Sequence, residues 1–206
     1  MLDLENKMIK QYGFIGFLKI IYFKIRTFFV FSEARLIRFP FDVRGKEFIS
    51  VERGFTTGFG CRLEAYPTNK MTVLTFGKNV QMNDYVHITA REKVSIGNNV
   101  LLASKIYISD CSHGSYAGDT NDSNPDIAPA ERVLFSKPVI IHDNVWLGEF
   151  VSVLPGVTIG KGTIVGANSV VSKSLPENVI AVGTPAKPIK KFNFNTQKWE
   201  KYKNII

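Results

Sequence analysis

This chain is poor in the residues that most often carry chemistry. Among 206 residues there are three histidines, His87, His113 and His142, and two cysteines, Cys61 and Cys111. Two cysteines make no disulfide framework, so a reducing compartment is the expected setting. Long uncharged apolar runs are also missing. The richest stretch, Glu5 to Phe31, is broken by Lys7, Lys10, Lys19, Lys24 and Arg26. That excludes the span of ~18 residues expected of a transmembrane helix. The first residues are acidic and polar, and no small-residue cleavage site follows an apolar run, so no secretory leader is expected. Acidic residues number 18 against 26 Lys and Arg, a net charge of +8. Such a balance favours anionic partners. The charge is nevertheless spread over termini and turns, without the aromatic stacking positions of a nucleic-acid-binding motif. A hydrophobic content of 45% excludes a disordered polymer.

What is present is a period of six. From Ile141 to Leu175 the chain reads IHDNVW, LGEFVS, VLPGVT, IGKGTI, VGANSV, VSKSLP. The first position is always aliphatic: Ile141, Leu147, Val153, Ile159, Val165 and Val171. The fifth is small or β-branched except at its last member: Val145, Val151, Val157, Thr163, Ser169 and Leu175. Six matches neither a helix (3.6) nor a lone strand (2), so each repeat is one short strand plus one turn. Three such units close a triangular coil, and stacked coils bury the aliphatic positions in a continuous prism. The expected fold is therefore an all-β solenoid, a parallel β-helix.

The same register runs from Phe76 through FGKNVQ, MNDYVH and ITAREK, is widened by two residues assigned to Val94 and Ser95, and continues from Ile96 to His113. A polar excursion over 114–137 then interrupts it, and a break of that length in a regular solenoid is more often functional than accidental. Three regions follow: an N-terminal helix over 1–35, the solenoid over 36–190 and a basic tail over 191–206, expected to form a short helix around Trp199. The N-terminal segment is expected to be amphipathic. It either packs on the protein or lies on an anionic bilayer with Phe and Ile buried and Lys at the headgroups.

The sixes, the segments SIGNNVLLASKIYISDCSHG and VIIHDNVWLGEFVSVLPGVTIGKGTIVGANSVVSKSLPENVIAVGTPAKPIKK, and the upstream RLIRFPFDVRG and QMNDYVHI together resemble the hexapeptide-repeat O-acetyltransferases. The resemblance covers about residues 35–192. It is to galactoside, maltose and xenobiotic acetyltransferases, and most closely to those of lipopolysaccharide and capsule biosynthesis. It implies a left-handed coil, an exception to the right-handed crossover rule, and a homotrimer with active sites between subunits. It also implies acetyl-CoA as cosubstrate, no metal, and a cytoplasmic enzyme, peripheral at the inner membrane face if its helix binds lipid.

A sugar hydroxyl is a poor nucleophile and needs a base, which imidazole supplies near neutral pH. His113 ends a regular coil and opens the long loop, and by resemblance it holds the position of the catalytic histidine. His87 and His142 fall at surface positions of their hexads and are read as bystanders. By resemblance Asn83, thirty residues before His113, hydrogen-bonds the acceptor; the alternative is a turn residue capping its own backbone. Asp84 and Asp110 are candidates to meet the acceptor or orient His113, although Asp110 reads more simply as a turn-stabilising side chain. On the donor side the resemblance assigns Trp146 to the thioester end and the backbone amide of Glu149 to the oxyanion. Gly148, Gly166 and Ala167 leave room for the pantetheine, and Lys173, Lys187 and Lys190 meet the nucleotide phosphates. A covalent Cys111–His113 mechanism is the weaker alternative to direct transfer.

Two rival functions remain on this scaffold. A zinc carbonic anhydrase of the γ class needs three converging histidines, and no histidine here is followed five residues on by another. A non-catalytic assembly subunit has no need of His113, the Asn83 spacing and the basic tail together.

Overall fold

The computed structural model describes residues 2–202, with side chains from Ile9 onward. Residues 203–206 of the tail lie outside the described residues. Three parallel sheets wind around one another in the repeating order A, B, C. One coil runs through Leu101–Leu102 in sheet A and Tyr107–Ser109 in sheet B, then reaches Val139–Ile141 in sheet C after the long excursion. The pairing is in register from coil to coil. Leu102 faces Leu147, which faces Val165, and Ile96 faces Ile141, which faces Ile159.

The six-residue pattern explains the core directly. All six aliphatic first positions from Ile141 to Val171 are at most 1% exposed, and all six fifth positions at most 5%. The first position closes each two- or three-residue strand on its inward side, and the fifth turns inward at the corner. Each fully buried aliphatic side chain contributes roughly 1.5–3 kcal/mol. Thr163 and Ser169 satisfy their hydroxyls within the corners, Thr163 by donating to the Pro176 carbonyl and Ser169 by accepting from the Gly183 amide.

Three expectations are corrected. First, the register is not widened at Val94 and Ser95, which are ordinary members of the strand Val94–Ile96 paired with Leu74 and Thr75. The extra residues sit in the preceding turn around Arg91 and Glu92. Second, the described part of the tail, up to Tyr202, is not helical. Val179–Gly183, Ala186–Asn193 and Lys198–Lys201 form an antiparallel extension of sheet A. Phe192 and Trp199 pair directly across it, rings 5.3 Å apart. Alternating side chains along Lys190–Phe194 favour a strand over a helix there. Third, the excursion is partly ordered as an arm. Cys111–His113 pairs antiparallel with Leu134–Ser136, and the segment between them carries a single 3-10 turn at Pro129–Glu131.

Helix α1 spans Leu2–Val30 and is interrupted at Gly13 (φ 69°, ψ 169°). Beyond the break it is apolar on two opposite faces, so a simple amphipathic description fails. On one face Phe23 and Thr27 are buried and seal the open end of the prism. The Thr27 hydroxyl donates to the Phe23 carbonyl and accepts from the Ile37 amide at 2.8 Å, and the Phe23 ring lies against Phe39 and Phe59. On the other face Ile15, Leu18, Tyr22, Ile25, Phe28 and Phe29 are exposed. At 3.6 residues per turn these fall within an arc of ~140°. Lys19 and Arg26 border it on one side and Lys24 on the other. Among the described residues, no helix is long and apolar enough to cross a membrane.

Candidate active site

Most of the expected donor and acceptor residues fall on one edge of the prism, the corner between sheets A and B. Successive coils place Asn83, Ala103, Gly148 and Gly166 on one rung of this edge. Each donates its amide to the next coil: Asn83 to Leu102, Ala103 to Leu147, Gly148 to Val165 and Gly166 to Ala181, at 2.8–3.0 Å. The next residue along each turn is Asp84, Ser104, Glu149 and Ala167. At the opposite corner, between sheets C and A, the equivalent amides are capped by the following coil: Lys78 by Asn98 Oδ1 at 2.8 Å and Asn98 by Asp143 Oδ1 at 2.6 Å. At the A–B corner only Phe59 is capped in this way, by Asp84 Oδ1 at 2.8 Å. The amides of Ser104, Glu149 and Ala167 donate to nothing among the described residues. The sequence reason is simple: where the other corner offers Asn98 and Asp143, this one offers Glu149 and Ala167. A file of unspent N–H groups along an exposed edge is suited to carbonyl oxygens, including one that develops charge.

Gly148 and Gly166 do not leave room for a ligand. A Cβ on Gly148 would lie 2.7 Å from the Ala167 nitrogen and 3.0 Å from the Val165 carbonyl oxygen, and one on Gly166 would lie 2.7 Å from Val182 Cγ1. These glycines let neighbouring coils close together, so the space they free is already filled. Ala167 is exposed and keeps the groove side of the corner shallow.

Asn83 and Asp84 line a cavity of about 430 Å³ with Arg38, Gln81 and Ser104. The Asn83 amide group makes no hydrogen bond among the described residues, so it does not cap its own turn. Asp84 spends one carboxylate oxygen on the Phe59 amide. Trp146 stands on the outer face of sheet A between Leu101 and Ile164, 47% exposed. Lys187 pairs with Val182, immediately above the glycine rung, and Lys190 with Ile180. Lys173 lies instead in the turn after the sheet B strand Val170–Val171, at the corner between sheets B and C.

His113 also belongs to the B–C corner. It ends the first strand of the arm and is exposed. Tyr116 donates its hydroxyl to the His113 carbonyl, and Arg132 Nη1 donates to that same hydroxyl at 2.7 Å. The remaining guanidinium nitrogens hold the Ile127 and Pro125 carbonyls at 2.9 and 3.1 Å. Arg132 thus fastens the arm to the backbone of the candidate base.

Asp110 meets neither an acceptor nor His113. It is fully buried, and its carboxylate accepts from the Arg91, Glu92 and Lys93 amides at 2.7–3.1 Å. The carboxylate fills the widened turn one coil away. Burial pushes the Cys111 thiol up, the Ser109 hydroxyl only partly opposing it, and burial pushes Cys61 up to about 11. Neither is poised as a thiolate.

The sequence reading missed one polar cluster. Glu64 on sheet B accepts from His87 Nε2 at 2.8 Å, Arg62 at 2.6 Å, and Arg44 and Tyr66 at 3.0 Å. Burial alone would raise its pKa, but hydrogen bonds from His87, Arg62 and Tyr66 outweigh burial and bring it to about 2. The signal was available in the two-residue alternation Asp42/Arg44, Arg62/Glu64, His87/Thr89 on strands that pair side by side. His142 is exposed at the C–A corner. Among the described residues, no group of three or more His, Cys, Asp and Glu side chains is arranged to hold a metal.

A parallel coil stack thus carries a file of free amides on one edge and an exposed histidine on another, an arrangement suited to acyl transfer. The comparisons with known proteins say which kind. Residues 138–173 match the family model described as bacterial transferase hexapeptide (six repeats). The chain is 46% identical over 195 residues to WbbJ of Escherichia coli K12, a putative lipopolysaccharide biosynthesis O-acetyl transferase; that is 95% of this chain and 98% of WbbJ. It is 31% identical over 159 residues to the galactoside O-acetyltransferase of the same organism, covering 75% of this chain and 72% of that enzyme. The N-acyltransferase AntD of Bacillus cereus, solved with dTDP and 3-hydroxybutyryl-CoA, shares the fold with a TM-score of 0.64 at 20% identity, over 84% of this chain and 89% of that one. The chain belongs to the hexapeptide-repeat acetyltransferases, enzymes that take their acyl group from coenzyme A.

Proposed function

We propose that the protein transfers an acetyl group from acetyl-CoA to a sugar hydroxyl in bacterial surface-polysaccharide assembly, at sites shared between the subunits of a homotrimer of left-handed coils. The observation that carries this reading is the split of the candidate site. His113 and Lys173 stand at the B–C corner, while Asn83, Glu149, Ala167 and Lys187 stand at the A–B corner. One chain holds both halves on different edges, and a closed ring of three brings the arm of one subunit against the A–B edge of the next. The putative lipopolysaccharide role of WbbJ, over nearly the whole chain, supports the acceptor class.

Acetyl-CoA supplies the activated acyl group as a thioester. The unspent amides of Ser104, Glu149 and Ala167 fit a chain of carbonyl oxygens laid along the edge, with the Glu149 N–H on the reacting carbonyl. Lys187 and Lys190 offer charge to the nucleotide phosphates at one end and Lys173 from the other subunit. Trp146 closes the apolar side. Imidazole at His113 takes the proton of the acceptor hydroxyl as that oxygen attacks the thioester carbonyl. The C–S bond then breaks and the imidazolium returns the proton to the departing coenzyme A sulfur, while the side-chain amide of Asn83 holds the sugar. With both thiols protonated, direct transfer needs no covalent enzyme intermediate. The apolar outer face of α1 keeps the enzyme at the inner face of the cytoplasmic membrane.

The test is complementation. His113→Ala removes the base, and Ala167→Trp blocks the groove; each alone is expected to be inactive. Random mixed trimers regain about a quarter of the sites, because one interface in four combines two intact halves. Recovery of thiol release from acetyl-CoA supports shared sites. No recovery sinks them, and full activity of His113→Ala sinks the base.

A further inference from the structure

A second cavity lies apart from the cleft around Asn83. It sits at the end of the prism beneath α1, measures about 590 Å³, and is lined by Lys24, Arg35, Arg53 and Lys78 with Glu33 as its one acidic group. Lys24 donates its ammonium to the Arg35 carbonyl at 2.6 Å, which ties the helix to the rim. The charged ends of Arg35, Arg53 and Lys78 make no salt bridge among the described residues. Four cations around one carboxylate, in a concavity rather than on a convex face, are matched by a phosphate or diphosphate.

Two further observations say what carries that phosphate. Arg35 lines this cavity and also the Asn83 cleft, so the two are neighbours across one side chain. Lys78 and Asn83 are five residues apart along one strand and its corners, at most about 18 Å. A ligand with phosphate in the first cavity therefore reaches the second with a short glycan. On the other side the cavity meets the exposed apolar face of α1. Ile21 and Phe28, one helical turn before and after Lys24, are 43% and 66% exposed. A nucleoside would find no reason for that face, whereas a hydrocarbon chain would.

We propose that the acceptor is a glycan joined through phosphate to a lipid chain: the phosphate in the Lys24–Arg35–Arg53–Lys78 cavity, the sugar in the Asn83 cleft, and the lipid leaving along the outer face of α1 into the bilayer. This rests on the acetyltransferase reading for the sugar end only; the phosphate and lipid subsites are tested by binding alone.

The experiment measures equilibrium binding of farnesyl diphosphate, inorganic diphosphate, farnesol and dTDP to the full-length protein without acetyl-CoA. Farnesyl diphosphate is expected to bind at least tenfold more tightly than any of the other three. The double variant Arg53→Glu, Lys78→Glu should lose that advantage at least tenfold, and Arg53→Gln should lose part of it. Thermal unfolding of each variant checks that the fold is retained. In a parallel assay, phospho-lipid-linked glycans extracted from membranes should be acetylated faster than the same glycans freed by mild acid. Equal binding of inorganic diphosphate and farnesyl diphosphate overturns the lipid subsite. Binding of dTDP as tight as farnesyl diphosphate points to a nucleotide sugar and also overturns it. Unchanged binding in the double variant overturns the cavity assignment. Farnesyl diphosphate binding that follows the cavity charges, in a protein that acetylates no glycan, supports the subsite while the acetyltransferase reading fails.

Discussion

The carboxylate of Asp110 lies 2.7 Å from the backbone nitrogen of Lys93, across the gap between two coils. The same oxygen takes the Glu92 amide, and both oxygens take Arg91. Three donors that the widened turn leaves without strand partners are satisfied by one buried anion. Asp110→Asn keeps the shape but replaces one acceptor oxygen with a donor facing amides. A loss of roughly 2–3 kcal/mol is expected, read as a lower midpoint in urea. The kcat of the folded protein should change little, because Asp110 faces the turn and not His113. A large fall in kcat at unchanged midpoint would restore it to the catalytic set.

How far the residues spoke for themselves depends on whether their partners were local. The first and fifth hexad positions predicted burial without exception from Ile141 to Leu175, because each buries its side chain by the same local turn. Asp110, by contrast, finds its donors at Arg91, Glu92 and Lys93, a coil earlier, and the widened turn was consequently assigned to Val94 and Ser95. The glycine rung failed for a related reason. Gly148 answers to Ala167 in the next coil, and a repeat read along the chain does not show which side of a glycine is occupied. Helix α1 misled through its composition, since a stripe that packs and a stripe that is exposed cancel as a pattern. The tail was legible as Phe192, Phe194 and Trp199 at strand spacing, but its run of lysines masked the alternation.

Placement of the candidate base depends on the arm. Tyr116→Phe removes the donor to the His113 carbonyl and leaves Arg132 Nη1 without its acceptor. Losing about 1 kcal/mol of positioning corresponds to roughly a fivefold fall in kcat. The KM for acetyl-CoA should stay constant, because the donor edge is a different corner. Arg132→Ala frees two carbonyls as well and should cost more, and Arg132→Lys should recover little, since an ammonium cannot span the three acceptors. Steady-state kinetics of the three variants check this; a rise in acetyl-CoA KM with kcat unchanged would refute it.

Coil spacing predicts the effect of filling the glycine rung. In Gly148→Ala the new Cβ meets backbone atoms, the Ala167 nitrogen and the Val165 carbonyl oxygen, which have no rotamer to move into. The coils must part, at a cost of roughly 1–3 kcal/mol. Gly166→Ala meets only the tip of Val182 and should cost less. Denaturation midpoints for the two variants give the ranking, and an inverted order would mean that ligand clearance, not coil contact, fixes glycine at Gly148.

Acid sensitivity should be concentrated at Glu64. Its pKa in the fold, about 2, lies below its value in the unfolded chain, ~4.3. A depressed carboxylate contributes stability that is complete above the unfolded value and disappears as pH falls toward the folded one. The window is therefore between about pH 4.5 and pH 2, and the full contribution is on the order of 3 kcal/mol. Glu64→Gln keeps an acceptor for Arg62 and Tyr66 but cannot ionise. Relative to wild type it should be less stable at pH 7 and should close the gap as pH falls through the window. Urea titrations at pH 7, 4 and 2.5 measure this. A constant gap at all three would show that the charge of Glu64 contributes nothing beyond its shape.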